Sequence, residues 1–342
     1  MKSASGVTLK QIAEELGISI STASRALKDH PRIGAPTRER VKRTARRMGY
    51  RSLDLLDAGY RKSNLIGVIV PSINYHLYAM AISGIERTAE QHGMHIIVCQ
   101  SNESYQREKS LVKELLAAGV NGILVSLASE TRDFTHFREV MDKGLPLVFF
   151  NRECQDIETD KVVIDNQGAA FEATSHLLSV GCRKIAYLGG PESLQINRDR
   201  ASGYQRALQQ AGLTMPEQYL VFSKFDRDST LSAARKLLYT PDYPDGILAF
   251  SDQIAISVML AAKERGIEMP GQLSVIGFNN EPVDELLEPS LTSIDQPAFS
   301  MGEQAAMLLT NQINSGEQPY QTKVLRSSLV VRRSTNKNEP NT

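Results

Sequence analysis

Apolar positions in the first fifty residues recur at helical spacing in three short runs. Ile12, Ala13 and Leu16 form the first. Thr8 opens it, Gln11 three residues on completes a capping box, and Gly17 suits the left-handed turn that ends it. Ser19 caps a second run through Ala23, Ala26 and Leu27, with small Ala13 and Ala23 where the two helices cross closely. A third run from Thr37 to Met48 places Val41, Ala45 and Met48 over the first two and turns Arg38, Lys42, Arg43, Arg46 and Arg47 outward. Two short helices joined by a tight turn make a helix-turn-helix. Residues 1–50 are therefore expected to form an all-α head.

From Leu65 the period changes. Near-continuous apolar runs at 65–70, 94–99, 122–127, 146–150 and 162–164 alternate with helical stretches such as 78–92 and 106–118. The pattern repeats at 184–188, 219–222, 246–250 and 274–278. Strands apolar on both faces belong to parallel sheets covered by helices. A stretch this long predicts an α/β body of two doubly wound lobes. The expected division is head 1–50, linker 51–64, body 65–333 and polar tail 334–342. Within the body, 65–163 build most of one lobe and 164–291 the other. Residues 292–322 return to the first, and a last strand at 324–331 joins the second.

Charge sharpens this picture. The chain holds 39 Lys/Arg and 39 Asp/Glu, but residues 1–62 carry 14 basic against 6 acidic, leaving 25 against 33 for the rest. A basic head on an acidic body points the head at a polyanion. In a helix-turn-helix the second helix enters the major groove with its N-terminal residues at base edges. Those residues are Ile20, Ser21 and Arg25: Ile20 for a thymine methyl, Ser21 for either base type, Arg25 for a bidentate contact to guanine. Thr8, Ser19, Thr22 and Ser24 are placed to hold phosphates. A protein-binding three-helix head is the alternative.

In the body, ligands of such folds sit at the carboxyl ends of strands. The residues there are Ser72, Asn74, Gln100, Ser101, Ser126, Asn151, Arg152, Asp165, Asn166, Ser251, Asp252, Asn279 and Asn280. Hydroxyl, amide and carboxylate groups dominate, which suits a polyhydroxylated ligand.

Two stretches of the head, VTLKQIAEELGISISTASRALK at 7–28 and TRERV at 37–41 running on to Met48, Gly49 and Tyr50, closely resemble the head of LacI/GalR-family bacterial regulators. The body resembles the periplasmic-binding-protein-like sensor of the same family through IGVIVP (66–71), DNQGA (165–169), IAYLGGP (185–191), RASGY (200–204), FSDQIA (250–255), VIGF (275–278) and PSLTSIDQP (289–297). The resemblance implies a transcriptional repressor on double-stranded operator DNA; the tail from Arg332 shows no apolar heptads for a tetramer, which favours a homodimer whose symmetry matches a pseudo-palindromic operator. A small effector, a sugar or sugar derivative, controls its DNA affinity. It implies Arg200 as the effector-binding arginine, Phe225 as the ring that stacks on the ligand, and Leu77, Tyr78, Asn151, Asp165 and Gln296 as further contacts. Asn279 stands where the family often has Asp, and Ser251 where it often has Asn. The family's linker begins with Pro-Asn and forms a hinge helix that wedges into the minor groove. Here Ser52 and Leu53 take that place, Asp54 and Asp57 oppose DNA phosphates, and Leu55 or Leu56 is the candidate wedge. A hinge helix and a plain flexible linker both remain open readings.

Other classes fit less well. No strand leads into a dinucleotide or phosphate-loop motif, and the six histidines show no metal spacing, so neither an enzyme nor a bound cofactor or metal is expected. A secreted sugar receptor would need an apolar leader in place of the charged N-terminus. Three widely spaced cysteines and no membrane-length apolar run suit a cytoplasmic protein.

Overall fold

The computed structural model describes residues 8–27, 30, 32–48, 63–315 and 319–336. The chain divides into two compact units, Met1–Ser63 and Asn64–Thr342.

The first unit contains α1 (Leu9–Leu16), α2 (Ile20–Leu27) and α3 (Ala35–Arg47). The Thr8–Gln11 capping box forms, and Gly17 takes the left-handed conformation (φ 62°) that turns the chain into α2. The Ser19 hydroxyl accepts the Thr22 N–H at 3.1 Å and so starts α2. Ile12, Ala23, Ala26 and Val41 are fully buried, and Leu16, Ile18 and Met48 pack around them. The outward basic face of α3 needs correction at Arg38 and Lys42, which are both half-buried. Arg38 is half-buried because its guanidinium donates to the Ile33 carbonyl at 2.9 Å, which caps the preceding turn.

The second unit holds two six-stranded sheets. One is built from β1 (Leu65–Val70), β2 (His95–Gln100), β3 (Ile123–Val125), β4 (Leu147–Phe150), β5 (Asp160–Ile164) and β11 (Thr322–Leu325), in the order β11-β5-β4-β3-β1-β2 and wholly parallel. The other uses β6 (Ile185–Gly189), β7 (Leu220–Phe222), β8 (Gly246–Ala249), β9 (Ser274–Phe278), β10 (Thr292–Asp295) and β12 (Ser328–Val330), ordered β12-β10-β9-β8-β6-β7. Only the edge strand β12 runs antiparallel, against β10. Helices α4 (His76–Gln91), α5 (Tyr105–Ala118), α6 (Thr135–Asp142) and α11 (Ala298–Ser315) belong to the first lobe; α7 (Asn166–Ser179), α8 (Gln195–Gln210), α9 (Arg227–Leu238) and α10 (Asp252–Arg265) to the second. Buried Val68, Phe150, Leu177, Tyr187 and Phe278 share one apolar cluster that runs through both lobes.

The end of the chain departs from expectation in three ways. Residues 292–295 stay in the second lobe as β10, and the return to the first begins with α11. The single last strand is two: β11 pairs with β5 in the first sheet before β12 enters the second. Ser334 and Thr335 are not tail. Both are fully buried, and Ser334 Oγ accepts the Thr292 N–H at 2.8 Å and donates to the Val275 carbonyl at 2.6 Å. Among the described residues, no helix is long and apolar enough to cross a membrane.

Candidate functional site

In the first unit, the residues expected at DNA gather on α2 and its entry, apart from Thr8 at the N-cap of α1. Ala23, Ala26 and Leu27 face the core, so Ile20, Ser21, Ser24 and Arg25, at i, i+1, i+4 and i+5, share the opposite side. Ile20 is 49% exposed, an apolar side chain held in solvent at the first turn. Thr8, Ser19, Ser21 and Arg25 are exposed too, while Thr22 and Ser24 are half-buried. Ser19 Oγ lies 2.9 Å from Ser21 Oγ and 2.8 Å from Thr22 Oγ1, a hydroxyl cluster at the helix N-terminus. That is the end of a helix suited to phosphate. The Arg25 side chain makes no hydrogen bond or ion pair with the described residues. Leu55 and Leu56, the candidate wedge, lie outside the described residues, as does the linker from 51 to 62.

In the second unit, a narrow cavity of about 40 Å³ lies between the lobes at the carboxyl ends of the strands. Its lining contains Leu77, Tyr78, Asn151, Arg200, Phe225, Ser251, Asn279 and Gln296. Of the expected effector contacts only Asp165 is missing. It is exposed and occupied as the N-cap of α7, where its carboxylate accepts the Gly168 N–H at 2.8 Å. Its neighbour Asn166 turns inward instead and holds Arg200. Tyr75, Arg152, Ile196 and Phe250 complete the lining. Arg152 was visible as a polar residue at a strand end. The apolar three carried no such signal.

Arg200 is the more deeply buried of the two arginines in the lining. Only 2% of it is exposed. Its Nε donates to Asn166 Oδ1 at 2.9 Å and its Nη1 to the Phe250 carbonyl at 2.5 Å. Its guanidinium lies 3.8 Å from the Phe278 ring centroid and 4.6 Å from that of Phe250. Burial brings its pKa down to about 10. Gln296 Nε2 donates to Asn279 Oδ1 at 2.7 Å, while Gln296 Oε1 is buried without a partner. Asn151 Nδ2 donates to the Tyr78 hydroxyl at 3.0 Å, and that hydroxyl lies 3.0 Å from Ser126 Oγ. Burial raises the Tyr78 phenol, so it stays neutral. Asn151 and Asn279 sit at positive φ, 59° and 110°, directly after β4 and β9. Asn is among the residues that tolerate such backbone, so conformation and chemistry select it together.

Several contacts join the lobes across this cavity. The Glu281 carboxylate, from the second lobe, accepts the His76 N–H at 3.2 Å and so caps α4, whose own N-cap Tyr75 supplies no side-chain bond. Ser193 Oγ donates to the Ser129 carbonyl at 3.0 Å. The Arg152 guanidinium lies 5.0 Å from the Phe225 ring centroid. A wider space of about 350 Å³ adjoins the cavity and shares Arg152 and Ile196 with it.

The family comparisons agree with both halves. Residues 8–52 match the model of bacterial regulatory proteins of the lacI family, and residues 174–335 match the periplasmic binding protein-like domain. Catabolite control protein A of Priestia megaterium is 32% identical over 90% of this chain and 93% of its own length. This chain belongs to the LacI family. The transcriptional repressor CytR of Escherichia coli (strain K12) is 30% identical over 98% of both chains. A solved complex of the transcriptional regulator CelR with cellobiose superposes with a TM-score of 0.74, at 28% identity over 96% of this chain and 99% of the other. This LacI-family chain is a DNA-binding transcription regulator with an effector-binding domain, and not an enzyme.

Proposed function

We propose that the protein is a cytoplasmic repressor that binds a pseudo-palindromic operator as a homodimer and changes operator affinity when a sugar or sugar derivative enters the cavity between the lobes. Ile20, Ser21 and Arg25 read base edges, and Thr8, Ser19, Thr22 and Ser24 fix the register on phosphates. Arg200, Asn279, Gln296, Asn151 and Ser251 present the hydrogen-bonding groups, Phe225 stacks on the ligand, and Leu77 and Tyr78 close the wall. The observation that carries this reading is the convergence of eight sequence-marked residues from both lobes on one cavity. A CelR relative with cellobiose bound supports a sugar-like effector. Two-fold symmetry in a dimer matches a palindromic site.

Two variants separate the functions. Arg25→Ala should lose discrimination between operator and random DNA, by about 1–3 kcal/mol at the base it reads, while still binding effector. Arg200→Ala should bind operator and lose the effector response. Gel-shift titrations at fixed salt read both. Unaltered discrimination in the first, or an intact response in the second, removes that residue from its role.

A further inference from the structure

The charge of the cavity points to a narrower ligand class, and this step rests on the cavity being the effector site. We infer that the effector is an anion, a polyhydroxylated scaffold bearing a carboxylate or phosphate ester, held between Arg152 and Arg200.

The lining has two arginines and no Asp or Glu. Arg152 is 6% exposed. Its Nη1 alone meets Glu103, at 2.8 and 3.0 Å, and the Leu127 carbonyl at 3.2 Å. Its Nε is buried without a partner, and its Nη2 makes no hydrogen bond to the described residues. An unused Nε–Nη2 edge is the two-pronged donor that fits a carboxylate or phosphate. Arg200 hydrogen-bonds only to neutral oxygens, those of Asn166 and Phe250. A buried cation with no hydrogen-bonded counter-ion is costly, and an anionic ligand removes that cost. Asp252 lies near enough to Arg200 to interact electrostatically. Its oxygens are taken by the Ser293 hydroxyl and the Glu281 N–H, and burial favours its neutral form. Glu103 offsets one of the two cations, and the other is left for the ligand. Asn151 and Asn279 supply amides where carboxylates would repel an anion, and the free Gln296 Oε1 accepts a hydroxyl of the scaffold.

The test uses the full chain and matched pairs: glucose with glucose 6-phosphate, ribose with ribose 5-phosphate, and galactose with galacturonate. Inorganic phosphate is the control for binding at the basic head. Melting temperature and calorimetric affinity are read at constant ionic strength. At least one anionic member should raise the melting temperature where its neutral parent and inorganic phosphate do not. The phosphate and uronate arms tell the two anions apart. Arg152→Gln should weaken that ligand roughly tenfold to a hundredfold, the scale of charge-assisted hydrogen bonds. Asn279→Asp, nearly isosteric and still able to accept from Gln296, should weaken it too by placing a carboxylate in the lining. A neutral parent binding as tightly as its anion, affinity that survives both variants, or a panel in which no anion binds overturns the inference. A neutral ligand that shifts DNA affinity would overturn the anion and leave the regulatory reading intact. A bound ligand without effect on DNA would strike the regulatory reading instead.

Discussion

Asp284 is an acid in surroundings that oppose its charge. Its carboxyl is fully buried beside that of Asp252, in the short turn Pro282–Glu285 whose N-cap Glu281 reaches the N-terminus of α4. Burial pushes its pKa up to about 7, and that of the neighbouring Asp252 rises for the same reason. An acid whose folded pKa is raised holds its proton longer in the native state than in the unfolded chain, where it ionises near about 4. The native state then binds more protons across this window, so stability falls as pH rises from about 4 to about 7. Asp284→Asn should flatten that part of the melting-temperature profile and raise the melting temperature at pH 8. Parallel profiles for the two proteins would remove Asp284 as the source. Nothing in the sequence announced this group, because burial depends on how β9, β10 and the turn meet. Arg200 is legible through its motif, whereas Asn166, which holds it, is marked only as a polar residue at a strand end and the neighbouring Asp165 is the one expected at the effector. Asp165 and Asn166 both follow β5, and helix capping decides which of them turns inward to Arg200.

At the scale of elements, local signals served best where one residue type answers one need. Thr8, Gln11, Gly17 and Ser19 cap and turn the head as their chemistry requires. The two edge strands near the C-terminus were unreadable as separate elements. Thr322–Leu325 and Ser328–Val330 are short and half exposed, with no apolar run to divide them, and only pairing with β5 or β10 assigns them to sheets. Helix crossings are equally silent in sequence. Gly84 in α4 and Gly302 in α11 let these helices approach closely. A Cβ on Gly302 would lie 1.9 Å from the Ala81 carbonyl oxygen, and one on Gly84 2.1 Å from that of Phe299. The obstacle is backbone, so no side chain can swing aside. Gly302→Ala should therefore destabilise the body by about 1–3 kcal/mol, the range for overpacking. A lower urea midpoint checks it, and an unchanged midpoint would show that the helices part freely.

The whole molecule sets a basic head and an acidic, cleft-bearing body on one chain. The cavity draws its lining from both lobes, and Glu281, Ser193 and Arg152 reach across it, so a ligand there binds the closed arrangement of lobes differently from an open one. Regulation then requires that the closed and open bodies present the heads to DNA differently. The central claim is this coupling, and one linkage measurement tests it most directly. A duplex selected from random-sequence DNA by the full chain is titrated at fixed salt, with and without the panel compound that most raises the melting temperature. Ligand should shift duplex affinity by about 5- to 150-fold, and duplex should shift ligand affinity by the same factor. Duplex affinity that stays the same at saturating ligand would contradict the coupling.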